Sequence, residues 1–262
     1  VWPMRSILVH AEPGSAGQAR IETALSLARS TGGHVTLLVD TPVSRYVAVD
    51  GLGGGFVATD ALKDAIAGDD AFAARIEEHL ARGDVCCDVV RSETDLTEAL
   101  GDAARLADVV VVARREALAS DLPLSVRCPV LAVNAEETLD FPLTRVVVAW
   151  DGSAEAANAL RSAVPLLAGA EVTVVTVQDT AKDFPATDAL AYLSRHGIKA
   201  ELQVVERVGA VEETIARELA LLKPQLLVMG AFRHSRLREF LFGGVTRFFL
   251  DEPGGPALLL AH

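Results

Sequence analysis

Residues 225–231 read Gln-Leu-Leu-Val-Met-Gly-Ala, and residues 108–113 read Asp-Val-Val-Val-Val-Ala. Both are apolar runs of strand length, each introduced by a polar residue. Strands that are buried on both faces read in this way, so the runs predict a parallel sheet covered by helices on both sides. Because the run occurs once in each half of the chain, it also predicts an internal repeat.

Three further apolar landmarks recur in the same order in both halves. Residues 5–9 match 145–149, residues 34–40 match 171–179, and residues 128–133 match 255–260. A polar stretch, Ala135–Thr144, separates the two sets. The repeat therefore predicts two domains, one spanning residues 4–136 and the other residues 144–262.

Helical patterns lie between the landmarks. In Ala154–Ala168 the apolar residues recur at helical spacing, and Ser153 is a suitable N-cap. A second pattern over Val211–Leu222 ends before Pro224, where helices usually stop. The first half repeats both patterns, with apolar faces formed by Ile21, Leu25 and Ala28 and by Leu96, Leu100 and Leu106. Alternating strands and helices predict an α/β fold: two tandem doubly wound, mainly parallel five-stranded sheets with helices on both faces.

Composition excludes several classes of function. The chain carries 24 Lys and Arg against 36 Asp and Glu, a formal charge of −12, whereas general nucleic-acid binders and proteins of anionic membrane surfaces need a basic footprint. No apolar run is long enough to span a membrane. The three cysteines form no disulfide framework, which favours a reducing compartment and predicts a cytoplasmic protein.

An extra segment follows the fourth strand of the second half. It begins at Gly230, contains the glycine pair Gly243-Gly244, and is basic in an otherwise acidic protein. Glycines let backbone N–H groups approach a ligand, and the start of the following helix favours an anion. The segment therefore predicts phosphate binding, with a solvated surface loop as the alternative. Its basic residues are Arg233, His234, Arg236, Arg238 and Arg247.

With these residues in view, the sequence resembles the universal stress protein family in its tandem form, over nearly all of residues 5–262. Nucleotide-binding members of that family share the motif G-x-x-G, nine residues, G-[S/T] after the fourth strand. Here Gly230, Arg233 and Gly243-Gly244 keep that spacing.

The resemblance implies an adenine-nucleotide site in the C-terminal half and a role in the stress response. The nucleotide would be ATP or AMP, with or without Mg²⁺. Asp151 would meet adenine or ribose, although a turn residue before Gly152 is the plainer interpretation of it. Val177 would line the adenine pocket, and Met229 and Gly230 would pack on the nucleoside. The phosphate cradle would consist of Gly243, Gly244, Val245 and Thr246, with Arg233 beside it.

Two motif positions depart from the family pattern. Arg233 replaces the second glycine, and Gly244 replaces the hydroxyl residue. The sequence leaves open whether the Arg233 guanidinium pairs with a phosphate or fills the space that the nucleotide needs. Loss of the hydroxyl removes one hydrogen bond, worth about 0.5–1.5 kcal/mol.

The first half lacks the glycine loop. Ala11 falls where Asp151 falls, unless a one-residue shift brings Glu12 there, and Val39 matches Val177. We expect this half to be structural or to form an interface, with a different ligand as the alternative. The family resemblance implies that the two halves form a pseudo-twofold pair through Val130–Val133 and Ala257–Leu260. Association of two chains as a homodimer stays open.

Two other functions compete with nucleotide binding. One is a scaffold that binds protein partners and no nucleotide. The other is an enzyme, at most a slow ATPase, for which the sequence offers no evident nucleophile or general base.

Overall fold

The computed structural model describes residues 4–41, 46–49, 55–57, 59–114, 116–178, 185–231 and 244–262. In the N-terminal half, strands and helices alternate, and a short hairpin (β3, β4) follows the second strand. The elements are β1 (Ser6–His10), α1 (Ser15–Thr31), β2 (His34–Asp40), β3 (Val47–Val49), β4 (Gly55–Val57), α2 (Thr59–Leu80), β5 (Cys86–Ser92), α3 (Leu96–Ala103), β6 (Val109–Ala113), α4 (Ala117–Ser125) and β7 (Val130–Val133).

The C-terminal half repeats the alternation without the hairpin. Its elements are β8 (Arg145–Ala149), α5 (Ala154–Ala163), β9 (Glu171–Val177), α6 (Ala186–Arg195), β10 (Ala200–Val205), α7 (Val211–Leu222), β11 (Leu226–Gly230), α8 (Gly244–Asp251) and β12 (Ala257–Ala261).

The described strands other than the hairpin form one ten-stranded sheet in the order β10-β9-β8-β11-β12-β7-β6-β1-β2-β5. Within each half the five strands are parallel, and the order reverses between the first strand of the half and the fourth. The two five-stranded units are joined where β12 pairs antiparallel with β7, with Leu259 opposite Leu131. The predicted α/β architecture is confirmed, and the expected pairing of the last strands makes the sheet continuous.

Each face of the sheet carries its own apolar core. One core holds buried residues of α1, α5 and α6, and the other holds buried residues of α3, α4, α7 and α8. The central strands contribute to both cores in alternation, as Val228 and Met229 of β11 do. This double coverage explains why the strands read as continuous apolar runs.

Most of the predicted helical features are present. Helix α5 begins after Ser153, whose Oγ accepts a hydrogen bond from the Ala156 backbone N–H at 3.1 Å. Helix α7 has the predicted bounds. The apolar face expected in the first half was wrong at Leu106, because α3 ends at Ala103 and the next turn is a 3-10 turn that leaves Leu106 90% exposed.

Strand register corrects the expected alignment of the halves by one residue. The pairing of Leu131 with Leu259 at the junction and the parallel registers on either side of it make Leu8 equivalent to Val147. Glu12, not Ala11, therefore stands at the position of Asp151. In the same register Asp40, not Val39, stands where Val177 stands. The one-residue shift considered for Glu12 is therefore the arrangement in the structure.

Among the helices in the described ranges, none combines the length and the apolar character that crossing a membrane requires.

Candidate functional site

The candidate site lies at the carboxyl ends of β8, β9 and β11. Strands β8 and β11 are neighbours at the point where the strand order of the C-terminal half reverses. At such a point the loops after adjacent strands turn to opposite faces of the sheet and leave a crevice, which is where open α/β sheets bind ligands. Asp151 follows β8, Val177 ends β9, and Gly230 ends β11.

Asp151 shapes the turn from β8 into α5. Its Oδ1 accepts a hydrogen bond from the Ser153 backbone N–H at 3.0 Å, and Gly152 between them has a positive φ of 77°. This arrangement is an Asx-turn, which an aspartate forms without any ligand. The turn interpretation of Asp151 thus has direct structural support, and the half-buried side chain remains at the mouth of the crevice.

Val177 and Met229 form an apolar wall beside this mouth. Both side chains belong to the core on the α7 and α8 face, and they are 2% and 5% exposed. Ala149 of β8 is partly buried against the same core. Val177 and Met229 thus lie on the same face of the sheet, and their contact with a nucleoside stays a prediction.

Gly230 is required by packing. A Cβ on Gly230 would lie 2.6 Å from the backbone N of Ala156 and 2.7 Å from the carbonyl carbon of Glu155. The end of β11 therefore runs directly against the first turn of α5. Glycine permits an approach that no other residue allows.

The start of α8 brings Gly244, Val245 and Thr246 to the crevice side of the sheet. Gly244 is the first residue of the helix, and the side chain of Thr246 is 3% exposed. Within the described part of the chain, a Cβ on Gly244 would meet the Glu212 Oε1 alone, at 3.8 Å, so these residues leave room for a side chain there. Arg233 and Gly243, the other two predicted site residues, lie outside the described residues.

Glu212 is a site neighbour that the sequence analysis missed. It belongs to the first turn of α7, where an acidic residue is favourable for the helix dipole. Its carboxylate also lies beside the first residue of α8, where it would repel an anion. The sequence shows two adjacent glutamates at the start of α7. Only the packing of α7 beside α8 reveals that one of them lies next to the candidate site.

The corresponding crevice of the N-terminal half has different chemistry. Here His10 and Asp40 replace the apolar residues Ala149 and Val177, and His10 Nε2 lies 2.9 Å from Asp40 Oδ1. Both side chains are buried. An apolar wall suited to a flat base is thus replaced by a buried polar pair.

A buried arginine also bridges the N-terminal crevice. Arg20 of α1 is 1% exposed, and its Nε donates to the His10 carbonyl oxygen at 3.0 Å. Its NH2 donates to Glu12 Oε1 at 2.6 Å, and its NH1 lies 3.7 Å from Glu116 Oε1. Glu12 follows β1 and Glu116 precedes α4, so the guanidinium connects the two loops that border the crevice. A lone arginine on the apolar face of α1 was a signal that the sequence analysis did not use.

The C-terminal half has no equivalent bridge in its described part. Both first helices begin two residues before a buried small residue, Gly17 in α1 and Ala156 in α5, and in the matched register Ala159 of α5 occupies the place of Arg20. Ala159 is fully buried and carries no polar group. Among the described residues, the C-terminal crevice therefore has no cation at the place where Arg20 spans its counterpart.

Across the described ranges, no group of three or more His, Cys, Asp and Glu side chains has the arrangement of a metal site.

Taken together, the fold and crevice define a two-lobed α/β protein with the features of a ligand crevice in its C-terminal half. Residues 142–252 match the model of the universal stress protein family. A curated universal stress protein from Synechocystis is 34% identical over 122 residues, which are 44% of this chain and 42% of that protein. The matched region thus spans less than half the length of this relative.

Two solved structures share the fold of the whole chain. A universal stress protein from Archaeoglobus fulgidus is 12% identical with a TM-score of 0.70, covering 99% of this chain and 97% of its own. A protein of unknown function from Pseudomonas aeruginosa is 17% identical with a TM-score of 0.66, covering 98% and 92%. The C-terminal half of the chain is thus similar to the universal stress protein family, and the tandem form is consistent with the length and fold of the whole chain.

Proposed function

We propose that the C-terminal half binds an adenine nucleotide, ATP or AMP, in the crevice between β8 and β11, and that the protein acts in the stress response. The observation that carries the proposal is the contrast between the two crevices. In the N-terminal half Arg20 bridges the crevice internally, whereas the C-terminal half has Ala159 at that place and an apolar wall of Val177 and Met229. The N-terminal half has a structural role.

The proposed site divides between the nucleoside and the phosphates. Val177 and Met229 offer apolar surface to the base, and Asp151 stands at the mouth, where a carboxylate oxygen can accept from a ribose hydroxyl. The start of α8 offers backbone N–H groups that have no partner within the helix, and these favour a phosphate. Thr246 adds a hydroxyl to the same end of the helix.

Two residues near the phosphates limit affinity. Gly244 supplies no hydroxyl, and the Glu212 carboxylate adds a repulsive charge. Mg²⁺ would offset this charge and would be held mainly by the phosphates, since the described side chains form no metal site. We therefore expect weak binding that Mg²⁺ strengthens for ATP.

The direct test is thermal unfolding with and without ATP, AMP and Mg²⁺, followed by calorimetric titration, with GTP as the control nucleotide. A ligand of the native state raises Tm by mass action, and at 100 times its Kd it adds about 2.7 kcal/mol of stability. A shift with ATP or AMP and none with GTP is expected. No shift at millimolar ATP and AMP would reject the proposal and leave the scaffold function in its place.

Gly244→Ser tests the phosphate end of the site. The described residues leave room for the side chain, and the new hydroxyl should tighten binding by roughly 2–12-fold through one hydrogen bond. Gly244→Ala is the matched control, since it adds the Cβ without the hydroxyl. Equal affinities for the two variants would argue against a phosphate at this position.

Glu212→Gln tests the electrostatics. Removing the charge should tighten ATP binding by up to about fivefold, because pairs of exposed charges interact by up to about 1 kcal/mol. Glu98→Gln makes the same change in the first turn of α3, in the half that we propose does not bind, and should leave the affinity unchanged.

Arg233→Gly distinguishes the two roles left open for Arg233. Tighter binding by the variant means that the arginine fills space that the nucleotide needs. Weaker binding means that its guanidinium pairs with a phosphate.

The location and association of the chain are also part of the proposal. We place the protein in the cytoplasm, where adenine nucleotides are abundant. Because β7 and β12 already pair within the chain, a homodimer needs a different surface. Light scattering of the purified protein with and without ATP measures the number of chains.

A further inference from the structure

Arg114 crosses from the N-terminal half into the C-terminal half. It follows β6 directly, is 1% exposed, and directs its guanidinium toward the end of α8. Its Nε donates to the Phe249 carbonyl oxygen at 2.9 Å, and its NH2 donates to the same oxygen and to the Glu252 carbonyl oxygen at 2.8 Å. NH1 donates to the Pro256 carbonyl oxygen at 2.9 Å.

The surroundings of Arg114 are shaped to receive it. A Cβ on Gly255 would lie 2.6 Å from Arg114 NH2, so only glycine lets the guanidinium pass. Asn134, which follows β7, accepts from Arg114 NH1 at 3.2 Å and donates to the Gly255 carbonyl oxygen at 3.0 Å. Arg114 and Asn134, both from the N-terminal half, therefore pack closely against Gly255 of the C-terminal half.

This contact supplies what α8 lacks at its C-terminal end. The last carbonyl groups of a helix have no partner within it, and the helix dipole favours a cation there. Helix α8 has no basic residue in its last turn, and Arg114 brings a buried cation and several N–H donors to that end. An arginine is suited to this task because its rigid fork reaches several acceptors at once.

The opposite end of α8 is the proposed phosphate-binding end. Gly244 and Thr246 are in its first turn, and the Arg114 contacts begin at Phe249. In a helix of eight residues, fixing one end also fixes the direction and position of the other.

We propose that Arg114 is a positioning residue through which the N-terminal half holds α8 in the orientation that its phosphate-binding end requires. The inference rests on the proposed function for its ligand, but the hold on α8 exists without the ligand. The N-terminal half, which we propose binds no nucleotide, would thus serve to hold α8 in place.

The first experiment is hydrogen exchange of the nucleotide-free full chain. Arg114→Met removes the donors, and Gly255→Ala displaces the guanidinium while keeping its charge, which covers the case in which Arg114→Met folds poorly. Amides of α8 should exchange about tenfold or more faster in both variants, while those of α7 stay unchanged. Arg105→Met is the matched control, since Arg105 is 78% exposed and pairs only with Asp102 three residues away among the described contacts.

The second experiment titrates ATP and AMP into the same variants well below their melting temperatures. Coupling between sites is typically 5–150-fold in affinity, and we expect Kd to weaken by about tenfold in Arg114→Met and Gly255→Ala. Arg114→Lys, which keeps the charge and part of the donors, should recover part of the loss.

A purely structural Arg114 gives a different pattern. In that case Tm falls, exchange rises evenly through α7 and α8, and Kd is unchanged, and the proposal is overturned. If the wild-type chain binds no nucleotide, the proposed function fails, while unchanged exchange in α8 would separately refute the positioning role.

Discussion

Gly230 and Gly244 both occupy motif positions, yet the described structure crowds the first and leaves space around the second. In Gly230→Ala the new Cβ would stand 2.6 Å from the Ala156 backbone N. That atom belongs to the first turn of α5 and cannot rotate away, so β11 or α5 must move by roughly 1 Å. Overpacking of this kind costs about 1–3 kcal/mol. In a chain of this length Tm should fall by roughly 2–4 °C for each kcal/mol.

Gly244→Ala should behave in the opposite way. The nearest atom to its new Cβ is a flexible carboxylate oxygen at 3.8 Å, and alanine favours a helix over glycine by up to about 1 kcal/mol. We expect Tm to stay unchanged or to rise by a few degrees. The two variants make the same chemical change, one at a crowded strand end and the other at a helix start with space around it.

Differential scanning calorimetry of the nucleotide-free variants measures both shifts in one buffer. Circular dichroism at 25 °C confirms that each variant is folded before the comparison. If Gly230→Ala melts at or above the wild-type temperature, the close contact between β11 and α5 is not present in solution. A large loss for Gly244→Ala would show that the start of α8 is crowded.

Three further predictions follow from burial and pairing. Thr246→Val removes a hydroxyl at a site 3% exposed and should weaken ATP binding by roughly 2–12-fold in a calorimetric titration, whereas an unchanged Kd would exclude a phosphate contact. Leu259→Ala at the junction should cost about 2–5 kcal/mol and shift a single calorimetric transition, because the sheet is continuous; two separate transitions would contradict this. Burial raises the pKa of Cys87 and of Cys128 to about 11. At pH 8 iodoacetamide should therefore label the exposed Cys86 first, and labelling of the other two should accelerate as the pH rises toward 11. Equal labelling rates of the three cysteines at pH 8 would refute the assignment.

The sequence predicted the layers of the fold because its signals are local. A continuous apolar run such as 225–231 reports burial on both faces, and Ser153 reports a helix start, and both are present. The prediction that Leu106 lies on a buried helix face was wrong because apolar spacing does not reveal where a helix ends. The sequence alignment of the two halves was wrong by one residue, because apolar runs remain similar when they are shifted by one position. Hydrogen bonding between strands fixes the register.

The candidate site was predictable only in part. Motif and resemblance pointed to Val177, Met229 and Thr246, which are buried in the C-terminal half, and their part in binding stays a prediction. Glu212 and Arg20 were missed because each acquires its meaning from an element distant in the sequence. A glutamate at a helix start is ordinary until a second helix begins beside it.

The sequence by itself determined that the chain folds as two alternating α/β units, because apolar periodicity and repeat order are encoded residue by residue. Only the tertiary structure decided that an arginine closes one crevice and that another arginine, Arg114, caps a helix in the opposite half. These contacts join residues far apart in the chain. The sequence around a charged residue in an apolar segment does not reveal which carbonyl or carboxylate group will accept its hydrogen bonds. The physical reason is that a buried cation is stable only when hydrogen-bond acceptors or opposite charges surround it, and the fold brings these groups to it.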